Sequence, residues 1–497
     1  MATPRLAVRR LRRAFPHAYT VFLLLLACYA YFLPRSGPAD WVASSRAALT
    51  FALVERRAVN IDAYHTSTRD KAFYRGHYYI VGSVGPSAAA VPAFAVFRAF
   101  AARPAVGPRP VGPPAADEVV EHEPHYYRVA LAWMTLLAVS VPSAALGVAV
   151  FLVAERLVRR RDVALATALV YGLATGAFPY SKAFYQHQLA AFGLFVGFAL
   201  CWRAAYFGAR RRLWLAGLAF GSAMICEYPV VLPIACVAVW AWRAVPDRRA
   251  LAPVVLGAVP PGLLSAAYNL AAFGTPMPAG YQYHVVHAGR MARGYMGMGA
   301  PSLEALYGIL LSPFRGVLFL TPVLVLGPAG LYWMRRGPAP ARAIVPVVGA
   351  VILTLVAYNS AYTFWWGGAS VGPRFLVPML PFAALPMAVA IERCWRRASG
   401  RLLVVMLVLA SGANVWAQTI GGQYYPGDRL RNPLMEQAIP LLRAGDVAAN
   451  YGHVAGLAGW ASLLPLAAVV MSLAGLHVAL ARSGRARPGA PTPVSPR

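Results

Sequence analysis

The sequence predicts an all-α polytopic membrane protein with about 12 transmembrane helices and a long first loop outside the membrane. Of its 497 residues, 59% are hydrophobic and only 13% are charged. The mean hydropathy is +0.54. Apolar stretches of roughly 17–25 residues recur along the chain, which is the length that crosses a bilayer as a helix. In lipid, a helix satisfies its own backbone groups, so these stretches predict helical spans.

The placement of arginine predicts the topology. A net charge of +29 would suit nucleic acid, but the arginines fall in short clusters between apolar stretches, which excludes that class of partner. Such clusters are retained in the cytoplasm. The 44 arginines against two lysines indicate a GC-rich bacterial genome. We therefore expect a multi-pass protein of the bacterial inner (plasma) membrane with both termini cytoplasmic.

These clusters divide the chain into seven segments. The apolar run near the N-terminus is long for a signal peptide and is followed by no A-x-A site, so we expect a retained first helix. The five cysteines lie in or beside spans and predict no disulfide framework. The expected segments are a cytoplasmic N-terminus at 1–14, the first transmembrane helix at 15–34, an extracytoplasmic loop at 35–127, the transmembrane body at 128–421, an extracytoplasmic segment at 422–456, the last transmembrane helix at 457–481 and a disordered cytoplasmic tail at 482–497.

The loop at 35–127 is where we expect the chemistry, because it concentrates charge in a chain that otherwise has little. It holds eight of the 17 acidic residues. Two amphipathic helices are predicted to lie in the outer interface, Val84–Ala101 and Ala39–Arg57, the second of which is opened by Asp40.

The composition of the second half of this loop predicts a less regular structure than that of the first half. The stretch Ala101–Pro114 is rich in proline and glycine, which predicts an irregular chain. The acidic cluster Asp117–Glu123 follows it, and we interpret this cluster as a solvated hinge that leads into the second span.

Polar and aromatic motifs fall on the side of the membrane that carries this loop. Ligand sites gather convergent polar groups on one face of an apolar scaffold, so this one-sidedness indicates a site. The motifs are Asp62–Tyr79, Pro179–Gln188, Glu227–Pro229, Tyr268–Tyr281 and Trp365–Arg374.

Two aspartates are candidates for a general base, Asp62 and Asp70. One carboxylate within hydrogen-bond reach of an acceptor hydroxyl would take its proton as the hydroxyl attacks a sugar carbon. The alternative is that each caps a turn or pairs with Arg69 or Lys71. If one of them is the base, it is expected to lie near Arg374 or another cation that binds the donor.

The cations that would bind a phosphate are Arg374, Lys182, Lys71 and His187. A guanidinium at the start of a span suits a phosphate just above the acyl region, although Arg374 would also serve as an interface anchor or a partner for Glu227. No i,i+4 histidine pair or H-E-x-x-H run is present, so we expect no metal ligands. The sequence leaves open whether a divalent cation such as Mg²⁺ or Mn²⁺ takes part, and no other cofactor is expected.

Several of these motifs resemble the GT-C-type membrane glycosyltransferases, the superfamily of the dolichyl-phosphate-mannose protein mannosyltransferases, and in particular its uncharacterised bacterial members. The residues that carry the resemblance are Leu53–Glu55, Ile61–Tyr64, Thr68–Ala72, Gly76–Tyr79, Pro179–Tyr180 with His187, Glu227–Pro229, Phe273–Pro276 with Gly280–Tyr281, Leu311–Gly316, Trp365–Gly368 and Gly372–Arg374.

The resemblance implies a GT-C-like fold and a hexosyl- or pentosyltransferase. The donor would be a polyprenyl-phosphate-linked sugar, the acceptor a glycan, lipid or protein of the cell envelope, and the transfer would invert the anomeric carbon on the extracytoplasmic face. It also implies substrate contacts from the residues of these motifs, namely Tyr64, His77, Tyr79, Glu227, Tyr281, Trp365 and Trp366. For the tryptophans, an aromatic belt at the membrane interface is the alternative.

One departure from the family pattern stands out. Relatives often carry an acidic-Lys-x-Pro run after the position of Tyr79, whereas this chain reads Ile80–Pro86 without any charge. Either Lys71, Lys182 or Arg374 replaces that lysine, or the activity is altered or lost. A non-catalytic relative and a lipid or solute transporter therefore remain as alternatives, although a transporter should carry ionisable residues near the middle of its spans.

Overall fold

The computed structural model describes residues 4–102, 111–113 and 119–483 of the chain. Most of the stretch predicted to be irregular, Ala101–Pro114, lies outside the described residues. So do Asp117 and nearly all of the predicted tail at 482–497. The described residues form a helical bundle, as the hydropathy predicts.

The described part of the chain consists of long apolar helices and the short helices that connect them. Those of eight residues or more are Pro4–Tyr31, Trp41–Phe51, Gly85–Phe100, His125–Thr135, Val141–Leu157, Arg161–Leu173, His187–Phe207, Leu213–Cys226, Val231–Ala244, Ala252–Phe273, Leu303–Leu310, Gly327–Arg335, Val345–Ala361, Leu380–Cys394, Ala398–Ile420 and Leu464–Ser483. Two strands, β1 (Lys71–Tyr74) and β2 (His77–Ile80), form the one sheet among the described residues.

Seven helical segments of the described chain are long and apolar enough to cross a membrane: His125–Leu157, His187–Phe207, Arg248–Phe273, Ala339–Ala361, Arg374–Cys394, Ala398–Ile420 and Gly459–Leu480. Three shorter apolar helices are Pro16–Tyr31, Leu213–Cys226 and Tyr228–Ala244. The sequence predicts spans that begin near Phe15, Val129, Val163, Leu189, Leu213, Pro229, Pro253, Val317, Ile344, Phe375, Leu402 and Leu457. The ten observed helices correspond to all of these except the spans near Val163 and Val317, so the count of about 12 is not confirmed.

The two remaining predicted spans are not among these ten helices. The helix Arg161–Leu173 is only 13 residues long. The apolar stretch that begins at Val317 is interrupted at Thr321, which lies in non-helical backbone just before Pro322. Proline removes a backbone donor, so one apolar run becomes two short helices.

One helix forms the centre of the bundle. Leu380–Cys394 is buried continuously from Leu380 to Ile391 and packs against Val141–Leu157 and Gly327–Arg335. The last helix, Leu464–Ser483, packs at the periphery against Pro4–Tyr31. Its outer residues are largely exposed apolar side chains, as expected of a helix that faces lipid.

The loop that follows the first helix is folded and packed. Asp40 is the N-cap of Trp41–Phe51 and accepts a hydrogen bond from the Ala43 amide at 3.0 Å, so the predicted helix start is confirmed. The predicted helix Val84–Ala101 is observed as Gly85–Phe100, and it packs against Trp41–Phe51.

Between these two helices lies the β1–β2 hairpin. Its strands pair in register from Lys71 with Ile80 to Tyr74 with His77. The two turn residues, Arg75 and Gly76, both have positive φ, which is the geometry of a tight two-residue hairpin turn.

The interpretation of Asp117–Glu123 as a solvated hinge is wrong for Glu123. Its side chain is only 7% exposed, and its backbone lies beside Gly37 in the first loop. Glu121 is exposed, as expected. The sequence pattern does not predict that the chain near Glu123 packs against the helix Trp41–Phe51.

Loops from distant parts of the chain join this first loop at one end of the bundle, which we call the loop face. Val285 donates its amide to the carbonyl of Lys71 at 3.0 Å. The guanidinium of Arg35 donates to the carbonyl of Gln423 at 2.7 Å. Arg315 is buried and donates to the carbonyls of Gly368 and Pro426 at 2.8 and 3.0 Å. The loop face is therefore one packed unit.

The helices Leu213–Cys226 and Ala252–Phe273 approach each other so closely that only glycine fits at position 257. A Cβ at Gly257 of Ala252–Phe273 would collide with the backbone carbonyl of Trp214, whereas a Cβ at Gly262, on the same helix, would meet open space. Backbone atoms cannot move aside as a flexible side chain can, so the first site is intolerant of any added carbon.

We therefore expect Gly257→Ala to lower the thermal unfolding midpoint of the purified protein, corresponding to roughly 1–3 kcal/mol of overpacking. Gly262→Ala is the matched control and should leave the midpoint unchanged or raise it, since alanine favours a helix over glycine. Equal midpoints for the two variants would contradict the close packing of these helices.

Candidate functional site

The ring of Tyr185 is the centre of a charged cluster on the loop face. Its hydroxyl donates to Oδ1 of Asp40 at 3.0 Å. The guanidinium carbons of Arg46 and Arg374 lie 5.8 and 5.6 Å from its ring centroid. The His187 ring stacks at 5.9 Å with an interplanar angle of 20°. We call these five residues the Tyr185 cluster. They come from the first loop, the segment before His187–Phe207 and the start of Arg374–Cys394.

Asp40 is a buried carboxylate with one unused oxygen. It is 5% exposed. Oδ1 accepts from the Ala43 amide and from Tyr185, whereas Oδ2 is buried and has no hydrogen-bond partner within the described part of the chain. Burial raises the pKa of the Asp40 carboxyl, and its two hydrogen bonds and the charges of Arg35 and Arg374 oppose that rise. A carboxylate with a raised pKa and a free oxygen is suited to take a proton.

The two arginines of the cluster have unused donors. Arg46 is buried on helix Trp41–Phe51, where Nη1 donates to the carbonyl of Val42 at 2.9 Å and Nε has no partner among the described atoms. Arg374 is half-buried, and no described group accepts a hydrogen bond from it, including its fully buried Nε. Planar guanidinium groups in this state suit an anion such as phosphate.

Asp70 is the second carboxylate beside these arginines, and it is partly open to solvent. Its oxygens lie 3.8 Å from Nη1 of Arg46 and 3.7 Å from Nε2 of His284. Burial lowers the pKa of His284 to about 4, so this histidine is neutral near pH 7 and Arg46 is the charged partner. Of the two predicted aspartates, Asp70 therefore lies beside an arginine of the cluster, and its role as a base stays a prediction.

His187 and Glu227 form a buried pair behind the cluster. Nδ1 of His187 lies 3.0 Å from both carboxylate oxygens of Glu227. The two side chains are 0% and 6% exposed. His187 begins the helix His187–Phe207, and Glu227 ends the helix Leu213–Cys226, so two neighbouring helix termini hold the pair.

Asp62, the other predicted base, lies against the β2 strand of the hairpin. Its Oδ1 accepts from the amide of Tyr78 and its Oδ2 pairs with Nδ1 of His77, both at 2.7 Å. His77 is half-exposed at the hairpin end. Both oxygens of Asp62 are thus occupied in fixing the start of β2.

Three further predicted residues lie in packed surroundings near the hairpin. Lys71 is fully buried, and its ammonium donates to the carbonyl of His65 at 2.8 Å. Tyr64 donates to Glu55 at 2.6 Å within an aromatic cluster. The ring of Tyr79 lies 5.2 Å from that of Phe273.

Lys182 is buried, with 1% of its side chain exposed. Its Nζ lies 5.3 Å from the ring centroid of Phe32. Burial and the charge of Arg35 lower the pKa of Lys182 well below its ordinary value, and Asp40 opposes that shift. A small cavity lies beside Phe32, and its wall includes Thr135, Ser140 and Tyr451.

The aromatic candidates flank the cluster. The hydroxyl of Tyr281 and Nη2 of Arg46 both approach Gly82. Trp365 packs against Gly308, where any side chain would collide with the indole. The Trp366 carbonyl accepts from Arg315 at 3.1 Å, which fixes this segment of backbone.

No group of three or more histidine, cysteine or acidic side chains is placed to hold a metal ion among residues 4–102, 111–113 and 119–483. The structure, like the sequence, therefore does not decide whether a divalent cation takes part in the reaction.

The structure thus brings Asp70, Arg374, His187, Glu227 and Tyr281 together, and it places Asp62, His77, Tyr79, Tyr64 and Lys71 on and around the hairpin. Sequence reasoning assigned Asp40 only a capping role, and it missed Arg46, Tyr185 and His284. One signal was present: Ser44, Ser45 and Arg46 are consecutive polar residues in an otherwise apolar helix, and all three are buried.

The sequence matches no protein-family model, and no curated protein matches it. Among solved structures, the chain is similar to the archaeal oligosaccharyltransferase AglB from Archaeoglobus fulgidus, solved with an inhibitory peptide and a dolichol-phosphate. The TM-score is 0.51 and the identity 12%, over 84% of this chain and 57% of that chain. It is also similar to ArnT from Cupriavidus metallidurans bound to undecaprenyl phosphate, with TM-score 0.48 and 15% identity over 94% of this chain and 75% of that chain. At this identity, the likeness to AglB shows a shared fold alone, which agrees with the helical membrane fold that the sequence predicts.

The burial of Glu123 makes a prediction about pH and stability. Burial raises the pKa of Glu123 from 4.5 to about 7, against the hydrogen bonds from Ser44 and Ser36. Between these two pH values the folded protein keeps a proton that the unfolded chain has lost. The free energy of unfolding should therefore fall as pH rises through this window, by up to about 3 kcal/mol.

Denaturant unfolding of the purified protein at a series of pH values measures this effect. Glu123→Gln should flatten the decline between pH 4.5 and about 7, because the neutral amide cannot lose a proton. Glu121→Gln, at the exposed position two residues earlier, is the matched control and should keep the decline. A decline that survives in Glu123→Gln would contradict the assignment.

Proposed function

We propose that this chain is an integral membrane glycosyltransferase. It would move a sugar from a polyprenyl-phosphate donor to a cell-envelope acceptor on the extracytoplasmic face, in a bacterial inner membrane with both termini cytoplasmic. The observation that carries the proposal is the Tyr185 cluster, where a buried carboxylate oxygen and the Nε donors of Arg46 and Arg374 lack partners among the described residues. Native proteins seldom leave buried polar groups unpaired, and a ligand that completes them explains the arrangement.

In this proposal, Arg46 and Arg374 bind the donor phosphate, and the polyprenyl tail lies along the apolar helices. Arg46 also supplies the cation that the family pattern places after Tyr79. The uncharged segment passes directly over it, because a Cβ at Gly82 would lie 3.4 Å from Nη2 of Arg46. The absence of a side chain at Gly82 leaves room for the guanidinium of Arg46.

Asp40 is the proposed general base. Asp62 is less suited, because both of its oxygens are engaged by the hairpin. Asp70 is more open, but Arg46 and His284 flank it, so in this proposal it orients Arg46. Asp40 combines a free oxygen, a raised pKa and a fixed position at a helix N-terminus.

The reaction needs few groups. The acceptor hydroxyl gives its proton to Asp40 as its oxygen forms a bond to the anomeric carbon, and the bond from that carbon to the phosphate oxygen breaks. Phosphate is a good leaving group when two arginines hold it, so a single carboxylate suffices, in contrast to glycosidases, which need two. One displacement inverts the anomeric centre.

The test is incubation of the purified protein with radiolabelled polyprenyl-phosphate sugars and a cell-envelope extract. Transfer of label to an envelope component is expected for one of the sugars offered. Absence of transfer from every donor, with the protein folded, would favour the non-catalytic relative. ATP- or gradient-dependent uptake of label into vesicles would favour the transporter.

Asp40→Asn should lower the rate of sugar transfer by roughly a hundredfold to ten-thousandfold, the range for loss of a general base. Asp62→Asn is the matched control: it should retain most of the activity and instead lower the thermal unfolding midpoint, since it weakens the hairpin. Transfer rates that are normal in Asp40→Asn and lost in Asp62→Asn or Asp70→Asn would contradict the assignment of the base.

A further inference from the structure

The buried pair of His187 and Glu227 is not used by the reaction described above. Burying a carboxylate beside an imidazole costs free energy that a pair of apolar side chains would avoid. Ionisable groups buried at membrane depth are usually functional. The His187 ring stacks with Tyr185, the centre of the proposed site, at a centroid distance of 5.9 Å, so a role in that site is the first to consider.

The geometry fixes where the imidazole proton lies. Nδ1 faces both oxygens of Glu227 at 3.0 Å, so Nδ1 carries a hydrogen and donates it. Nε2 lies on the opposite side of the ring, where it is buried and has no partner among the described atoms. In the neutral ring Nε2 is only an acceptor. In the imidazolium it becomes a donor, which is what an anion requires.

The groups around the ring act on its charge in opposite directions. The carboxylate of Glu227 lies against Nδ1, whereas the guanidinium groups of Arg46 and Arg374 lie around the same Tyr185 ring on which the imidazole stacks. The rings of Tyr180, Tyr185 and Phe375 also contact the imidazole. The complete burial of the ring and the two positive guanidinium groups both disfavour an imidazolium in the free protein. An anion bound at the two arginines would neutralise their charge and provide an acceptor for a proton on Nε2.

We propose that His187 takes up a proton when the polyprenyl-phosphate donor binds, with Glu227 as its permanent counter-ion. This inference rests on the proposed function and adds a third donor to the phosphate site. During transfer, the imidazolium gives the Nε2 proton to the phosphate oxygen released from the anomeric carbon, while Asp40 receives the proton of the acceptor hydroxyl. The phosphate product leaves singly charged, and His187 returns to the neutral state.

Proton-coupled binding has a measurable signature. Affinity for the donor should fall about tenfold for each pH unit in the range where His187 is neutral in the free protein and charged in the complex. The probe must not titrate itself, so the methyl diester of undecaprenyl phosphate is suitable, since it carries one charge throughout the neutral range.

The experiment is titration calorimetry of the full-length protein in lipid nanodiscs with this diester, in two buffers of different ionisation enthalpy. The wild type should show uptake of about one proton per diester bound. Glu227→Gln and His187→Gln should bind more weakly, by about tenfold or more, and without proton uptake. Glu227→Asp should restore part of the uptake.

Glu155→Gln is the matched control. Glu155 also pairs with a basic residue, Arg161, at 2.6 Å, but it lies at the far end of the helical segment His125–Leu157. Its substitution should leave both affinity and proton uptake unchanged. A thermal unfolding midpoint for each variant shows that the fold is intact.

The outcomes separate the inference from the proposed function. Binding of the diester by the wild type without proton uptake, or uptake that persists in folded Glu227→Gln and His187→Gln, would overturn the inference and leave the glycosyltransferase proposal intact. Failure of the folded wild type to bind the diester would overturn the proposed function and this inference with it.

Discussion

The hydrogen bond between Tyr185 and Asp40 is the interaction on which the loop face depends. It joins the first loop to the segment that leads into His187–Phe207, and it holds a carboxylate where water is excluded. A buried charge is tolerated only when opposite charge lies close by, and Arg35 and Arg374 supply it. The requirement for these cations explains why arginines converge here in a bundle that is otherwise apolar.

A second layer of interactions keeps the cluster rigid. Arg315 donates to backbone carbonyls of residues 314, 366, 368, 426 and 427 through all three of its guanidinium nitrogens. Arg35 donates to three carbonyls of residues 419–423 and keeps one buried donor, Nη1, without a partner among the described residues. Arg46 donates to one carbonyl and Arg374 to none, and the Nε of each is unpaired among the described residues. This division between structural and available arginines follows from contacts, and composition alone cannot reveal it. A site that is already assembled loses little entropy when its ligand binds.

Hydropathy and charge patterning predicted the class of fold well, because both signals are local. The helix opened by Asp40, the helix Gly85–Phe100 and ten of the predicted spans follow from runs of apolar residues and a capping residue. Two predicted spans were not found: a break at Thr321 leaves the apolar pattern near Val317 unchanged, and the helix Arg161–Leu173 is shorter than its apolar run predicts. Pairings across long distances could not be predicted. Asp62 and Asp40 are both loop aspartates by sequence, and only tertiary contacts show that one caps a strand while the other keeps a free oxygen. Glu123 is buried for the same reason.

The most direct measurement of the central claim is a cryo-electron microscopy structure of the protein in nanodiscs with undecaprenyl phosphate. Our account predicts density for the phosphate beside Tyr185, within hydrogen-bonding distance of the guanidinium groups of Arg46 and Arg374, and with the lipid tail leaving between apolar helices. Phosphate density at Lys182 or against the hairpin, with both guanidinium groups uncontacted, would contradict it.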